Sequence, residues 1–336
     1  MKMYYQDKIT SLKQVFGAQS VTLDAESITV DGKKYPVIDD VIIISPPEKQ
    51  TASVKQTLNA SGAPRAAGDF ARDIQSTFGQ EWTKYPAILE EHKKEFGQYF
   101  DLVDTGSLKD KRVSDLGCGN GRWSYFLKDK CRELVLIDFS DAVFVARNNL
   151  RDANNCIFFM CDIKSLPFKE NFCDLIFTLG VLHHLPTDCL NETRALKKYA
   201  PQLLVFLYYA LDNRPVYFRV MLKAVTVLRL LLSRIQSEIL REVVSVAGTL
   251  LIYKPMIGLG RILELFGAGK YVPLFEFYRD KSFTRIEQDV YDRFFTRIEQ
   301  RVTRREISRL TDTFFEVKIS ENLPYWHFLC SSARQS

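Results

Sequence analysis

Val113-Ser114-Asp115-Leu116-Gly117-Cys118-Gly119-Asn120-Gly121 is the stretch whose reading decides the fold. It reads as a short strand that runs straight into a glycine-rich turn, and Arg122 to Lys128 behind it carries a helical pattern. Glycines belong in such a turn because the backbone must bend sharply and a ligand must approach it closely, where any Cβ would intrude. A glycine-rich turn alone is weak evidence, since several nucleotide-binding folds use one. The spacing narrows it. Gly-x-Gly-x-Gly behind an acid differs from the Gly-x-Gly-x-x-Gly that seats a pyrophosphate on a helix N-terminus, and a ligand without phosphate does not need that seat.

Outward from this turn, short β-rich runs alternate with helical patterns, the signature of βαβ units and a parallel sheet. Strands are expected at Arg112 to Leu116, Leu134 to Asp138, Cys156 to Cys161, Asp174 to Leu179 and Leu203 to Tyr209, then at Phe314 to Ile319 and Tyr325 to Cys330. Helices fit Arg122 to Lys128, Asp141 to Asn149 and Glu192 to Tyr199, and Thr303 to Glu306 reads as a capping box. Asp138 closes the second strand, where an ionised carboxylate can accept from both hydroxyls of a ribose. A helix N-cap, the plainer role, fits Ser140 better. The fourth strand runs into Thr178-Leu179-Gly180-Val181-Leu182-His183-His184, at the end of the sheet where ligands of open α/β folds sit.

On these residues the chain resembles the class I S-adenosylmethionine-dependent methyltransferases, over about Lys111 to Ala210 and again over Thr303 to Cys330. The resemblance implies a doubly wound α/β fold with a seven-stranded, mainly parallel, Rossmann-like sheet, and S-adenosyl-L-methionine as methyl donor. It implies that Gly117, Cys118, Gly119 and Gly121 wrap the methionine part and that Asp115 orients its amino group. Phe139 would lie on the adenine, Asp162 would accept from its amino group, and Ile163 and Leu179 would pack nearby. His183 and His184 are the candidates for a general base, although such a pair also serves structurally in the family. Where many relatives carry Lys-Pro-Gly-Gly, this chain has Lys197-Lys198-Tyr199-Ala200-Pro201, far from the cofactor.

The flanks are less ordinary. Residues 1–50 alternate in short runs around Asp31-Gly32 and read as a small β-rich module; Tyr35 to Ile42 resembles the closing strand of zinc-ribbon domains, but the first cysteine is Cys118, so no zinc is expected. Residues 51–68 read as a linker and 69–110 as a helical cap, with Trp82 a candidate to close over the cofactor. Residues 111–336 form the main domain, interrupted at about 211–300 by a helical insertion that reads as a lid. Its Val243 to Gly260, broken by Lys254 and Pro255, reads as a buried or lid helix rather than a membrane span, with contact at a membrane surface left open. Phe283 to Gln288 is echoed by Phe295 to Gln300.

Lys and Arg exceed Asp and Glu by 46 to 41, with no basic run. Seven cysteines without a CxxC pair, behind a start that lacks the apolar core of a secretory signal, point to free thiols and a cytoplasmic setting. The apolar, aromatic insertion favours a partly apolar small-molecule acceptor and no nucleic acid. Two alternatives stand beside it. An RNA methyltransferase would use Arg285, Arg293, Arg297, Arg301, Arg304, Arg305 and Arg309, although acids interleave them; a non-catalytic S-adenosylmethionine-binding subunit would keep the fold without the reaction.

Overall fold

The computed structural model describes residues 4–58, 72–235 and 237–332; part of the expected linker, residues 59–68, and the start of the expected helical cap lie outside them. The strands are β1 (Val21–Leu23), β2 (Ser27–Val30), β3 (Lys33–Ile38), β4 (Val41–Ile43), β5 (Arg112–Leu116), β6 (Glu133–Asp138), β7 (Cys156–Met160), β8 (Leu175–Leu179), β9 (Gln202–Phe206), β10 (Glu316–Ile319) and β11 (Phe328–Ser331). They join in one sheet ordered β1-β2-β3-β4-β7-β6-β5-β8-β9-β11-β10. From β4 to β9 all pairings are parallel, and β11 closes antiparallel between β9 and β10. Strands β5 to β8 are buried along their whole length; β7 and β8 accordingly read as nearly continuous apolar runs, while β5 buries Arg112, Ser114 and Asp115 among its apolar residues. Chain direction across the sheet reverses between β5 and β8, and this opens a crevice at their carboxyl ends.

The seven strands β5 to β11 follow the sequence reading closely, and the fold is the expected Rossmann-like α/β architecture. The N-terminal strands do more than form a neighbouring module. β4 pairs in parallel with β7, Val41 opposite Phe158 and Ile43 opposite Met160, so the sheet runs on through the N-terminal residues. Ile42 packs on one face of the sheet while Val41 and Ile43 pack on the other. Tyr5 reinforces the seam, its hydroxyl accepting from the Phe158 amide at 3.2 Å. Burying a side chain such as Phe158 or Ile42 contributes about 1.5–3 kcal/mol, which ties the module to the sheet.

Thirteen helices complete the described residues: α1 (Ile9–Phe16), α2 (Ala52–Thr57), α3 (Arg72–Lys84), α4 (Glu91–Tyr99), α5 (Arg122–Leu127), α6 (Ala142–Asn149), α7 (Cys189–Leu196), α8 (Val216–Leu232), α9 (Glu238–Gly248), α10 (Lys254–Glu264), α11 (Phe275–Tyr278), α12 (Phe283–Phe295) and α13 (Arg304–Ser308). The capping box at Thr303 and Glu306 starts α13 as its sequence suggests. Helices α8 to α12 have a core of their own around Tyr253, Phe275, Ile286 and Phe294. Lys254 and Pro255 do not break the chain there. A π-helical turn, Thr249–Tyr253, joins α9 to α10, and proline sits in the first turn of α10, where its missing N–H costs least. The result is one helix of 27 residues, Glu238–Glu264, and only 28% of its apolar window is buried. Of the two roles expected for it, buried helix or lid helix, the first does not hold.

Candidate active site

The glycine turn begins where β5 ends. Gly117 and Gly119 have φ of 81° and 52°, in the left-handed region that glycine enters without strain. Space forbids a side chain as firmly as the backbone does: a Cβ on Gly117 would stand 2.5 Å from the Val181 side chain, and one on Gly119 2.8 Å from the Trp82 ring. The turn is thus held between the β8 loop and α3. Asp115 lies behind it, buried, accepting from the Ser124 hydroxyl of α5 at 2.7 Å. Burial, partly offset by Ser124 and reinforced by nearby Asp138, pushes its carboxyl up to about 8.

Asp138, at the end of β6, fastens the turn from the other side. One oxygen accepts from the Gly119 amide at 3.0 Å, the other from the amide and hydroxyl of Ser140 at 2.9 and 2.7 Å. Burial raises its carboxyl above the usual range against those three donors. Each carboxylate oxygen has two acceptor directions, so capacity remains for a ligand hydroxyl. Asp162, after β7, is engaged by a residue that motif reading missed: the ammonium of Lys49 lies 2.6 Å from Oδ2, while Oδ1 accepts from the Lys164 amide. Lys49 comes from the N-terminal residues, and no local pattern places it 113 positions away.

One cavity of about 400 Å³ opens beyond these strand ends. Gly117, Asp138, Phe139, Asp162, Ile163, Leu179 and His184 line it; Asp115, Cys118, Gly119, Gly121 and His183 do not. The two histidines, equivalent in the sequence, are distinguished by this. His183 is fully buried, stacked on the Tyr208 ring at 4.0 Å, its Nδ1 accepting from the Tyr208 amide. Burial and the neighbouring His184 and Arg301 hold it well below the usual imidazole range, hence neutral. His184 sets its Nδ1 2.7 Å from the Ile298 carbonyl. A carbonyl only accepts, so Nδ1 carries the proton and Nε2 presents a lone pair, without a partner among the described residues.

The far wall comes from α3, α4 and the insertion. Helix α12 turns Arg285, Gln288, Asp289 and Asp292 to the cavity at helical spacing. Gln288 donates to Glu81 at 3.1 Å, Tyr208 donates to Asp292 at 2.9 Å, and Glu95 receives both Lys281 and Arg285. The six-residue echo finds two different fates here. Its first copy opens α12, capped by Ser282, with Arg285 buried; its second leaves the helix, with Arg297 exposed and Gln300 holding the Leu185 and Thr187 carbonyls. Arg122 stacks 4.9 Å over Trp82 and 4.5 Å over Trp123, and its buried Nη1 has no partner among the described residues. Tyr209, Tyr325, Arg214 and Arg301 complete the lining, with Arg214 4.8 Å over the Tyr325 ring.

These features fit S-adenosylmethionine. The glycine turn leaves no room for a Cβ, Asp138 keeps acceptor capacity for a ribose hydroxyl, Phe139 and Ile163 supply apolar surface, and the unpartnered Nη1 of Arg122 suits a carboxylate. The cavity volume falls in the range of small-molecule sites.

Residues 113–199 match the family described as methyltransferase domain. The chain is 27% identical over 158 residues to the tRNA (carboxymethyluridine(34)-5-O)-methyltransferase of Xenopus tropicalis, which covers 45% of this chain and 22% of that protein. It is 30% identical over 133 residues to "Probable tRNA methyltransferase 9B" of Homo sapiens, covering 39% of this chain and 24% of that protein. The chain thus spans less than a quarter of the length of these two relatives. Among solved structures, phosphoethanolamine N-methyltransferase 1 of Haemonchus contortus, in complex with phosphoethanolamine and S-adenosylhomocysteine, aligns with a TM-score of 0.35 at 18% identity, over 40% of this chain and 31% of that one. The curated relatives correct one expectation. A small-molecule acceptor with no nucleic acid does not stand beside relatives named for action on tRNA.

Proposed function

Because the chain contains a class I methyltransferase domain, whose methyl donor is S-adenosyl-L-methionine, we propose that it transfers that methyl group to an RNA acceptor, with a tRNA the nearest candidate. The observation that carries the reading is that one cavity joins the donor-side residues Gly117, Asp138 and Leu179 to His184 and to Tyr209, Tyr325, Arg214 and Arg301. Tyr209 and Tyr325 give the cavity aromatic surface suited to a base, and Arg214 and Arg301, ion-paired with Glu276 and Glu299, brace Tyr325 and Tyr209 from behind. Enzymes that modify a base take it out of the stack, and a deep cavity beside the donor site is what that requires.

The donor supplies a methyl carbon already activated by positive sulfur, so the protein's task is alignment and the exclusion of water. Asp138 would hold a ribose hydroxyl through Oδ2 and Arg122 the methionine carboxylate. Trp82, packed over Gly119, and the helices of the insertion line the cavity opposite the sheet and displace water from it. His184 receives the acceptor's proton at Nε2 where the nucleophile carries one, and the Ile298 carbonyl fixes the tautomer that makes this work.

The test is transfer of labelled methyl from S-adenosylmethionine to total tRNA. Ribonuclease-sensitive label is expected, and label that resists ribonuclease would overturn the RNA reading. Replacing His184→Gln is expected to lower kcat by about 100-fold or more while donor affinity holds, the size of a lost general base. An unchanged rate would remove His184 from the chemistry.

A further inference from the structure

Of the 21 large apolar side chains left exposed among the described residues, 19 lie between Val216 and Tyr271. Scattered surface leucines need no explanation, but a concentration of this size marks an interaction surface. The long helix Glu238–Glu264 shows how it arises. The stripe it turns to the protein is Arg241, Ser245, Thr249, Tyr253, Ile257 and Gly260, spaced by four or three residues and mostly small or polar. Its outward positions carry Ile239, Val243, Leu250, Leu251, Ile262 and Leu265, with Phe266 just past its end. For a helix facing water this amphipathicity is inverted.

Charge selects the medium that covers it. The segment 216–271 has eight Lys and Arg against three Asp and Glu, an excess as large as the net charge of the whole chain, +5. Arg219, Lys223, Arg234, Lys254, Arg261 and Lys270 are exposed. Two of the three acids are paired with basic residues outside the segment, Glu242 with Lys84 at 3.4 Å and Glu264 with Arg279 at 3.6 Å. We propose that the outer face of α8, α9 and α10 docks this protein on an anionic lipid surface, lying in the interface rather than crossing it. Aliphatic side chains enter the boundary of headgroups and acyl chains while the cations meet lipid phosphates. A crossing is opposed by the inner stripe, which is already packed on the protein, with the Gly248 position against Val290 and Gly260 against Phe275. Leucine, isoleucine and valine find little to bind on an RNA, and a second copy would set one basic face against another. The opposite sides of these helices, through Phe218, Leu222, Val225 and Met256, line the cavity, so docking would place the active site next to the lipid surface.

The experiment is sedimentation of the full chain with phosphatidylcholine vesicles, with and without phosphatidylglycerol, at rising salt. The expected result is cosedimentation with the anionic vesicles, weakened by salt, and reduced about tenfold or more in the double variant Leu251→Asp, Phe266→Asp. Circular dichroism and S-adenosylhomocysteine binding of that variant report whether its fold is intact, and Lys223→Glu with Arg234→Glu supplies a second variant with no apolar change. Absence of vesicle binding by the wild type overturns the proposal. So does a wild-type dimer that the Leu251→Asp, Phe266→Asp variant dissolves, or loss of tRNA binding rather than vesicle binding in that variant.

Discussion

Asp115 sits where a cofactor-orienting acid is expected, yet its oxygens lie behind the glycine turn, in contact with Ser124 rather than with the cavity. Its carboxyl, raised from the ordinary 3.8 to about 8 with burial the largest cause, keeps its proton in the folded state at pH values where the unfolded chain has lost it. The folded state then binds more protons, so stability is greatest below about 4 and falls as pH rises toward 8, with a slope of about 1.4 kcal/mol per pH unit for one group. Asp115→Asn keeps an acceptor for Ser124 and removes the titration. Its denaturant midpoint is expected to fall less between pH 5 and 8 than that of the wild type, and parallel curves would show that Asp115 is ionised throughout. What the sequence made legible at this scale was local geometry, such as the left-handed glycines after β5 and the carboxylate that ends β6. The sequence could not rank His183 against His184, because Ile298 and Tyr208, which distinguish them, arrive from other parts of the chain.

At the scale of elements, α12 is held to α4 by a buried ionic cluster. Burial alone would raise the Glu95 carboxyl, but Arg285 and Lys281 outweigh it and bring it below the ordinary carboxylate range. That stabilisation is present above about pH 4.5 and is lost as pH falls through the lowered value. Glu95→Ala would leave Arg285 and Lys281 buried with less compensation, a change expected to cost about 3–5 kcal/mol in thermal or denaturant unfolding. A cost under about 1 kcal/mol would mean that the cluster is wet. The strands β6 to β9 and β11 were readable because each is a short, mainly apolar run bounded by turn residues; β5 was marked by the glycine turn behind it, and β10 by the alternation of Glu316, Val317, Lys318 and Ile319. Helix α1 and the continuous helix through Pro255 were not, the first because it spans only eight residues ahead of the alternating runs and the second because a π-turn absorbs what proline ordinarily breaks. The inner face of α12 was hidden for a different reason: its charged residues look like a solvated face until Glu81 and Glu95 are brought against them.

At the scale of the whole molecule, the N-terminal strands cover the edge of β7, which is apolar along its length. Removing residues 1–45 is expected to leave that edge open to pairing between chains, and light scattering should report aggregation. A shortened chain that stays monomeric with an unchanged melting temperature would show the module to be dispensable. The sequence revealed the alternation in these residues but not their partner, since parallel pairing of Val41 with Phe158 is a long-range event. The most direct test of the central claim is calorimetric titration of S-adenosylmethionine and S-adenosylhomocysteine into the wild type and into Asp138→Ala, with circular dichroism to confirm folding. Binding at micromolar affinity that is lost in the folded variant is the expected result. A folded wild type that binds neither molecule would contradict the account.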